Sequence, residues 1–196
     1  MLRRLTKFGE SILKKKALPV ESFDEELKSL SADLVDTLYE ENGLGLAAPQ
    51  IDVQKRVFAI DMRRRSDDSV PCDFTIDGKT LPLDITMPLI AVNPQVEEIG
   101  DYIELAEEGC LSFPGIFAEV ERSAEVKMTY RDIQGAEHVL VCSGLFARCV
   151  QHENDHLDGV CFVDRLTPRQ LFKIEPKLKR LRRQTRDFLK TQKQHG

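Results

Sequence analysis

The chain has 196 residues, 41% of them apolar and 31% charged, and a formal net charge of −5. That length and apolar content suit one domain, spanning residues 1–196, with a single sizeable core. No apolar run is long enough to cross a bilayer, and the basic N-terminal segment lacks the apolar stretch of a secretory signal, so we expect a soluble, cytoplasmic protein with no membrane partner.

The cysteines indicate the redox compartment, and the distribution of charge indicates a possible binding partner. Five cysteines form an odd set without a Cys-x-x-Cys pair, which favours a reducing compartment over a disulfide framework. Residues 169–196 hold ten Lys or Arg against two acidic residues, so a basic tail follows an acidic body. Such a tail can contact nucleic acid or another polyanion, although a charge run is more often a solvated helix face.

The first predicted element is an amphipathic helix. Ser22 and Glu25 have the spacing of a capping box, and Asn42-Gly43 ends the helix. Apolar residues recur at intervals of three or four, at Phe23, Leu27, Leu30, Leu34 and Leu38. The turn at residues 43–45 contains two glycines, which let backbone approach a ligand closely; a plain helix stop is the alternative.

Strands are predicted in the middle of the chain. Residues 56–61 form a short apolar run, and residues 89–142 contain several short segments separated by turns. Between them, residues 62–88 are polar and contain several prolines and aspartates. This composition predicts a long surface loop, with a hairpin turn at Asp77-Gly78.

Two helices are predicted toward the C-terminus. The first covers residues 144–157, and the second begins with Thr167 as a cap and Pro168 at its first position. The second continues as a basic helical tail over residues 169–196. Because proline lacks the amide hydrogen that a helix interior needs, we expect Pro176 to bend or restart it.

The most informative segment is Gln151-His152-Glu153-Asn154-Asp155-His156. Two histidines four residues apart on a helix share one face and can coordinate one metal ion. Glu153 lies about 60° around the helix from His156, which suits contact with a water beside the metal rather than with the metal. We therefore expect Glu153 to act as general base, although such a short pattern also arises by chance on polar helices.

A third ligand is required, and several residues compete for that position. Phe162 stands where the extended motif H-E-x-x-H-x-x-G-x-x-H needs its last histidine, which excludes that branch of metalloproteases. Glu175 is near the spacing of a downstream glutamate ligand but lies in the basic tail, so it is the weaker candidate. Cys149 shares the helical face of the histidines but would lie about 7.5 Å from the metal along the axis, which indicates a pocket-lining residue.

Among the remaining cysteines, Cys110 stands apart. It lies in a polar turn with glycines on either side, at 109 and 115. Cys72 falls in the predicted loop, and Cys142 and Cys161 have the apolar neighbours of buried cysteines.

Three segments together resemble the signature motifs of peptide deformylases, in the family's order. They are Gly43-Leu44-Gly45-Leu46-Ala47-Ala48-Pro49-Gln50, Glu108-Gly109-Cys110-Leu111-Ser112 and Gln151-His152-Glu153-Asn154-Asp155-His156-Leu157. The likeness extends over most of the chain. It implies an α+β fold in which small antiparallel sheets pack around a central metal-binding helix, with an N-terminal helix and a C-terminal helix.

The resemblance also implies a role for each motif residue. It makes Cys110, His152 and His156 the metal ligands and Glu153 the catalytic acid and base. The oxyanion hole would consist of the Gln50 side chain and the Leu111 backbone amide. The residues implied around the methionine side chain and backbone of the substrate are Leu44, Gly45, Leu145 and Cys149.

The implied cofactor is one Fe²⁺ ion, for which Ni²⁺, Co²⁺ or Zn²⁺ can substitute; the ligand set alone would indicate zinc. The implied substrate is an N-formyl-methionyl nascent polypeptide. The basic C-terminal tail would contact the ribosome, through ribosomal RNA and not DNA.

Three features depart from the family pattern or are left open by it. Residues 62–88 are longer than the usual connection, and Asn154 stands where an apolar residue is common. Arg148 lies one turn before His152, and we expect it to face solvent.

The alternatives to a deformylase are a general zinc metallopeptidase of the HExxH type that uses Glu175, and a metal-stabilised binding module, which would need a fourth protein ligand.

Overall fold

The computed structural model describes residues 1–64 and 73–195, with side chains up to residue 192. Its helices are α1 (Glu25–Glu40), α2 (Leu83–Thr86), α3 (Gly144–Leu157) and α4 (Pro168–His195). Its strands are β1 (Gly45–Ala47), β2 (Val57–Ile60), β3 (Phe74–Ile76), β4 (Leu89–Glu98), β5 (Ile103–Gly109), β6 (Phe117–Ser123), β7 (Glu125–Arg131) and β8 (Glu137–Ser143). The α+β prediction is confirmed. None of the described helices combines the length and apolarity needed to cross a membrane.

Two antiparallel sheets surround α3. One has six strands in the order β1-β2-β4-β7-β8-β3, and the other is a two-stranded ribbon of β5 and β6. The buried side of α3, with Phe146 and Val150, packs into the core cluster of the large sheet. The register between β4 and β7 shifts after Val92, and the next residue, Asn93, has a φ of 51°. This bulge accommodates Pro94 inside the strand.

Helix α1 buries its predicted leucines, but its cap differs from the prediction. Leu27, Leu30, Leu34 and Leu38 all lie in the core. The N-cap is Asp24, whose side chain accepts hydrogen bonds from the amides of Glu26 and Leu27. The prediction of Ser22 was therefore wrong, because a carboxylate two residues later is an equally good cap and lies next to the first buried turn.

A hydrogen-bonded cluster around the buried Asp61 connects α1 to the end of β2. The Tyr39 hydroxyl donates to Asp61 Oδ2 at 2.7 Å, and Arg63 donates to both oxygens of the same carboxylate. Burial alone would raise the pKa of Asp61, but the hydrogen bonds from Arg63 and Tyr39 lower it below its ordinary value.

Residues 73–88, the larger described part of the predicted loop, contain a strand and a short helix. Residues 65–72, including Cys72, lie outside the described part of the chain, but a 3-10 turn at Met62–Arg64 precedes them and β3 and α2 follow. Phe74 is buried with its ring 5.5 Å from that of Phe146, and the turn at Asp77-Gly78 is present as predicted. The polar composition did not predict β3, because Phe74 is the one buried aromatic residue that packs this strand against the core.

Helix α4 runs unbroken through Pro176. Thr167 caps it as predicted, since its Oγ1 accepts from the Gln170 amide at 3.3 Å. Ile174, Leu178 and Leu181 on one face are buried in a cluster with Phe8, Phe113 and Phe162. The expectation that Pro176 restarts the helix was wrong, because this packed face holds the segments on both sides of the proline in one element.

Candidate metal centre

Helix α3 presents both predicted histidine ligands on its buried side. His152 and His156 lie one turn apart, with ring centroids separated by 5.0 Å. His152 Nδ1 is 3.0 Å from Glu108 Oε2. Because a carboxylate only accepts, Nδ1 carries the hydrogen and the Nε2 atom of His152 is left to act as a ligand.

Cys110 completes the donor set from a different element. It directly follows β5, and its Sγ lies 3.2 Å from His156 Nε2. One donor atom each from Cys110, His152 and His156 lie within 4.8 Å of one another. A thiolate and two imidazoles at these separations suit a first-row divalent metal, and three protein ligands are what a catalytic site supplies.

Glu153 follows His152 on α3 and lies beside this donor set. The residue is buried and its Oε2 atom has no hydrogen-bond partner among the described residues. Burial raises the pKa of its carboxyl to about 7. Gly45 makes room for it, because a Cβ at that position would be 2.4 Å from Glu153 Oε1.

Gln50 and Leu111 both have hydrogen-bond donors close to the centre. The Ala47 amide donates to Gln50 Oε1 at 2.8 Å, which turns the Gln50 amide nitrogen toward Cys110 Sγ at 3.5 Å and Ser112 Oγ at 3.3 Å. The Leu111 amide has no acceptor within the described part of the chain, while its carbonyl accepts from Lys7 Nζ at 2.9 Å. The Leu111 amide is thus available to an oxygen in the cleft, and the Gln50 amide nitrogen would bind one by giving up one of its two long contacts.

A buried ion network supports His152 from behind. The Glu108 carboxylate accepts from both Arg122 and Arg148, and Arg122 also donates to Asp155 at 2.6 Å. Burial alone would raise the pKa of Glu108, but the hydrogen bonds from His152 and Arg122 hold it well below its ordinary range.

Two members of this network were not found from the sequence. Arg148 was expected to face solvent, which is wrong: it is buried and also donates to the backbone carbonyls of residues 104 and 120. Nothing in the local pattern marks Arg122 or Arg148, because their carboxylate partners come from other elements.

The four predicted substrate-contact residues line one cavity of about 520 Å³ together with the catalytic candidates. These residues are Leu44, Gly45, Leu145 and Cys149. Their placement leaves an apolar-walled space next to the donor set, of the size that small-molecule and peptide pockets have.

The competing ligand candidates are accounted for elsewhere. Glu175 on α4 pairs with Lys179 Nζ at 2.9 Å and is not part of the donor group. Cys142 and Cys161 are buried in the apolar core, and burial raises the pKa of Cys161 to about 12. Asn154 bonds with Arg56 and Asp158 at the partly exposed edge of α3, so a polar residue there is satisfied.

Comparisons with known proteins agree with this geometry. The family model described as polypeptide deformylase matches residues 2–171. The peptide deformylase of Opitutus terrae is 38% identical over 189 residues, covering 95% of this chain and 96% of the relative. That of Thermotoga maritima is 37% identical over 175 residues, covering 89% and 93%.

A solved structure points the same way. A Plasmodium falciparum peptide deformylase in complex with an inhibitor is 33% identical, with a TM-score of 0.76 and coverage of 92% of this chain and 99% of that one. None of these matches supports a general HExxH metallopeptidase. The chain therefore belongs to the polypeptide deformylase family, hydrolases that remove the N-terminal formyl group from peptides.

Proposed function

We propose that the chain deformylates the formyl-methionine at the start of newly synthesised proteins, with one metal held by Cys110, His152 and His156. The observation that carries the proposal is the convergence of these donors beside the unpartnered Glu153 oxygen, in a cavity of about 520 Å³. A divalent metal bound there would act as a Lewis acid and make water nucleophilic near neutral pH. We propose Fe²⁺ as the resident ion, with Ni²⁺, Co²⁺ or Zn²⁺ able to substitute.

The remaining steps use the protein's own groups. Glu153 accepts a proton from the attacking water, because its buried Oε2 atom has no hydrogen-bond partner among the described residues. The Gln50 side-chain amide and the Leu111 backbone amide donate to the formyl oxygen as negative charge develops on it. Glu153 then returns the proton to the departing amine nitrogen of methionine.

Substrate positioning is assigned to the cavity walls. Leu44, Leu145 and Cys149 provide an apolar surface for the methionine side chain, and burial of that side chain would contribute about 1.5 to 3 kcal/mol. The Gly45 backbone lies in the same wall and is close enough to the centre to contact the substrate backbone.

The direct test is hydrolysis of a formyl-Met dipeptide under anaerobic conditions by protein loaded with iron or nickel. We expect cleavage of the formyl peptide, but not of its acetyl counterpart or of internal peptide bonds. The matched variant Glu153→Gln keeps all three ligands, so it should retain metal while losing at least about 100-fold in kcat. A loaded protein that leaves the formyl peptide intact would refute the proposal.

We further propose that α4 contacts ribosomal RNA in the cytoplasm. Support comes from Arg183, Arg186 and Lys190, which lie at helical spacing on its exposed side. Truncation after Arg169 is an unsuitable test, because it would remove the buried residues Ile174 and Leu178 from the core. Instead, the three basic residues can be changed to Gln. This variant should co-sediment with ribosomes more weakly, and its binding should depend less on salt, while its hydrolysis of a free dipeptide stays unchanged. Equal co-sedimentation of the variant and the unmodified protein would refute this contact.

A further inference from the structure

Residues 6–8 of the N-terminal segment contact both residues that we propose for the oxyanion hole. The Thr6 amide donates to the Gln50 carbonyl at 2.8 Å. One residue later, Lys7 Nζ donates to the Leu111 carbonyl at 2.9 Å. Gln50 and Leu111 belong to distant parts of the chain, so a segment that bonds to both of them helps to fix the separation between the two donors.

A short turn sets the direction of the Leu111 amide. The Phe113 amide donates to the Cys110 carbonyl at 2.8 Å, which closes the turn. The peptide bond between Cys110 and Leu111 is trans, so its N–H points to the side opposite its carbonyl. The Leu111 amide therefore points out of the turn, and both Cys110 and Leu111 line the cavity.

Lys7 holds the next peptide plane of this turn. The torsion angles of Leu111 relate the peptide planes before and after it, because each peptide unit is rigid. The bond from Phe113 to the Cys110 carbonyl holds the first plane, and Lys7 Nζ on the Leu111 carbonyl holds the second. With both planes held, the Leu111 amide cannot turn away without breaking one of these bonds.

The backbone that carries Lys7 is itself fixed. The Lys7 amide donates to Glu10 Oε1 at 2.8 Å, and the Glu10 carboxylate accepts from both terminal nitrogens of Arg4 at 2.8 and 2.7 Å. The Phe8 amide donates to the Ser112 carbonyl at 3.0 Å. The Lys7 side chain therefore reaches the turn from a backbone that is held on both sides.

The ammonium group of Lys7 also carries its charge into the site. Lys7 lines the cavity, and its Nζ forms no ion pair with any residue that the structure describes. Glu41 lines the same cavity without pairing with it. A fixed positive charge near a developing oxyanion stabilises the transition state more than the ground state.

We propose that Lys7 is a positioning residue for deformylation: its ammonium holds the Leu111 peptide so that the Leu111 amide meets the formyl oxygen. This inference rests on the proposed function, because it takes the oxyanion hole from that mechanism. The formyl oxygen gains its negative charge only as water attacks, so the contribution of Lys7 belongs to the transition state. We therefore expect an effect on rate and not on substrate affinity.

The test is the steady-state kinetics of Lys7→Met on a formyl-Met dipeptide. Methionine has an unbranched side chain of similar length but cannot donate a hydrogen bond. We expect kcat to fall about tenfold, which is less than the roughly 100- to 1000-fold cost of removing an oxyanion donor outright. KM should change less than about twofold, as for an interaction made only in the transition state. Lys7→Arg keeps a charged donor and should recover most of the loss.

A matched control removes a similar lysine contact away from the cavity. Lys55 Nζ donates to Glu26 Oε1 at 2.7 Å, so Lys55→Met also breaks a bond between distant parts of the chain. Its kcat should stay unchanged. Metal content and unfolding free energy are measured on every variant. Loss of metal in Lys7→Met would show that Lys7 only supports the Cys110 ligand, and would overturn the positioning role.

A second readout avoids turnover. In zinc-loaded protein with isotope-labelled leucine, the NMR signal of the Leu111 amide is assigned by its loss in Leu111→Ile. In Lys7→Met this signal should shift and its amide hydrogen should exchange faster, whereas Lys55→Met should leave both unchanged.

Three results would overturn the positioning role while leaving deformylation intact. They are an unchanged kcat in Lys7→Met, an unchanged Leu111 signal in that variant, and a loss of kcat that Lys7→Arg does not recover. Failure of the unmodified protein to cleave any formyl peptide would instead overturn the proposed function, and the role of Lys7 with it.

Discussion

The contact between Gly45 and Glu153 allows the position of the carboxylate that we propose as the acid–base group to be tested directly. In Gly45→Ala the new methyl group would lie 2.4 Å from Glu153 Oε1 and 2.8 Å from its Cδ and Cγ atoms. An ordinary contact begins near 3.4 Å, so the carboxylate has to move by roughly 1 Å. A displacement of that size at a reacting group costs about 100-fold in rate, equivalent to ~2.7 kcal/mol of transition-state stabilisation.

The assay is kcat/KM on a formyl-Met dipeptide, with metal content and unfolding free energy measured on the same preparations. Metal content should not change in Gly45→Ala, because no ligand is touched. Gly100→Ala serves as the control: it has positive φ and no atom within 4 Å of its would-be Cβ, so it should lose some stability and no activity. Full activity in Gly45→Ala, or a crystal structure of it with Glu153 unmoved, would refute the reasoning.

Three further predictions concern the centre and its supports. Cys110→Ala should abolish stoichiometric metal binding, measured by equilibrium dialysis with metal analysis; retained metal would show that another residue supplies the third ligand. Arg122→Met leaves the buried carboxylates of Glu108 and Asp155 without a shared partner and should lower the urea unfolding free energy by about 3 to 5 kcal/mol, whereas a loss under 1 kcal/mol would count against the network. Because the pKa of Asp61 is lowered in the folded state, its carboxylate stabilises the fold above about pH 4 and this stabilisation is lost as the pH falls further. In Asp61→Asn the unfolding free energy should therefore fall less steeply with decreasing pH below that point. An unchanged pH dependence of the unfolding free energy would contradict this.

The helices and the ligand pair were within reach of sequence reasoning because they depend on local spacing. The bounds of α3 match the predicted residues 144–157, and His152 and His156 share a face because helical geometry requires it. The fold class and the third ligand depended instead on the family resemblance. Local spacing cannot show that Cys110, at the end of the ribbon, comes to lie beside His156, 46 positions later on α3.

The errors arose where tertiary contacts decide the structure. Arg148 looked like a surface residue because Glu108, its carboxylate partner, belongs to another element. Phe74 looked like part of a loop because its neighbours in sequence are polar, although its neighbour in space is the Phe146 ring. Pro176 was expected to bend or restart the helix because the packing of the flanking helix face cannot be seen in the local sequence, and α4 does not restart there.

The distance in sequence between the donors has a thermodynamic consequence. Cys110 follows the ribbon and His156 belongs to α3, 46 positions away, so an ion held by both is a reversible cross-link between two parts of the fold. An unfolded chain does not hold these donors together, and a ligand that binds only the native state adds about 2.7 kcal/mol at 100 times its Kd. The melting temperature should therefore rise with free metal concentration, so that the supply of metal determines the stability of the protein as well as its activity.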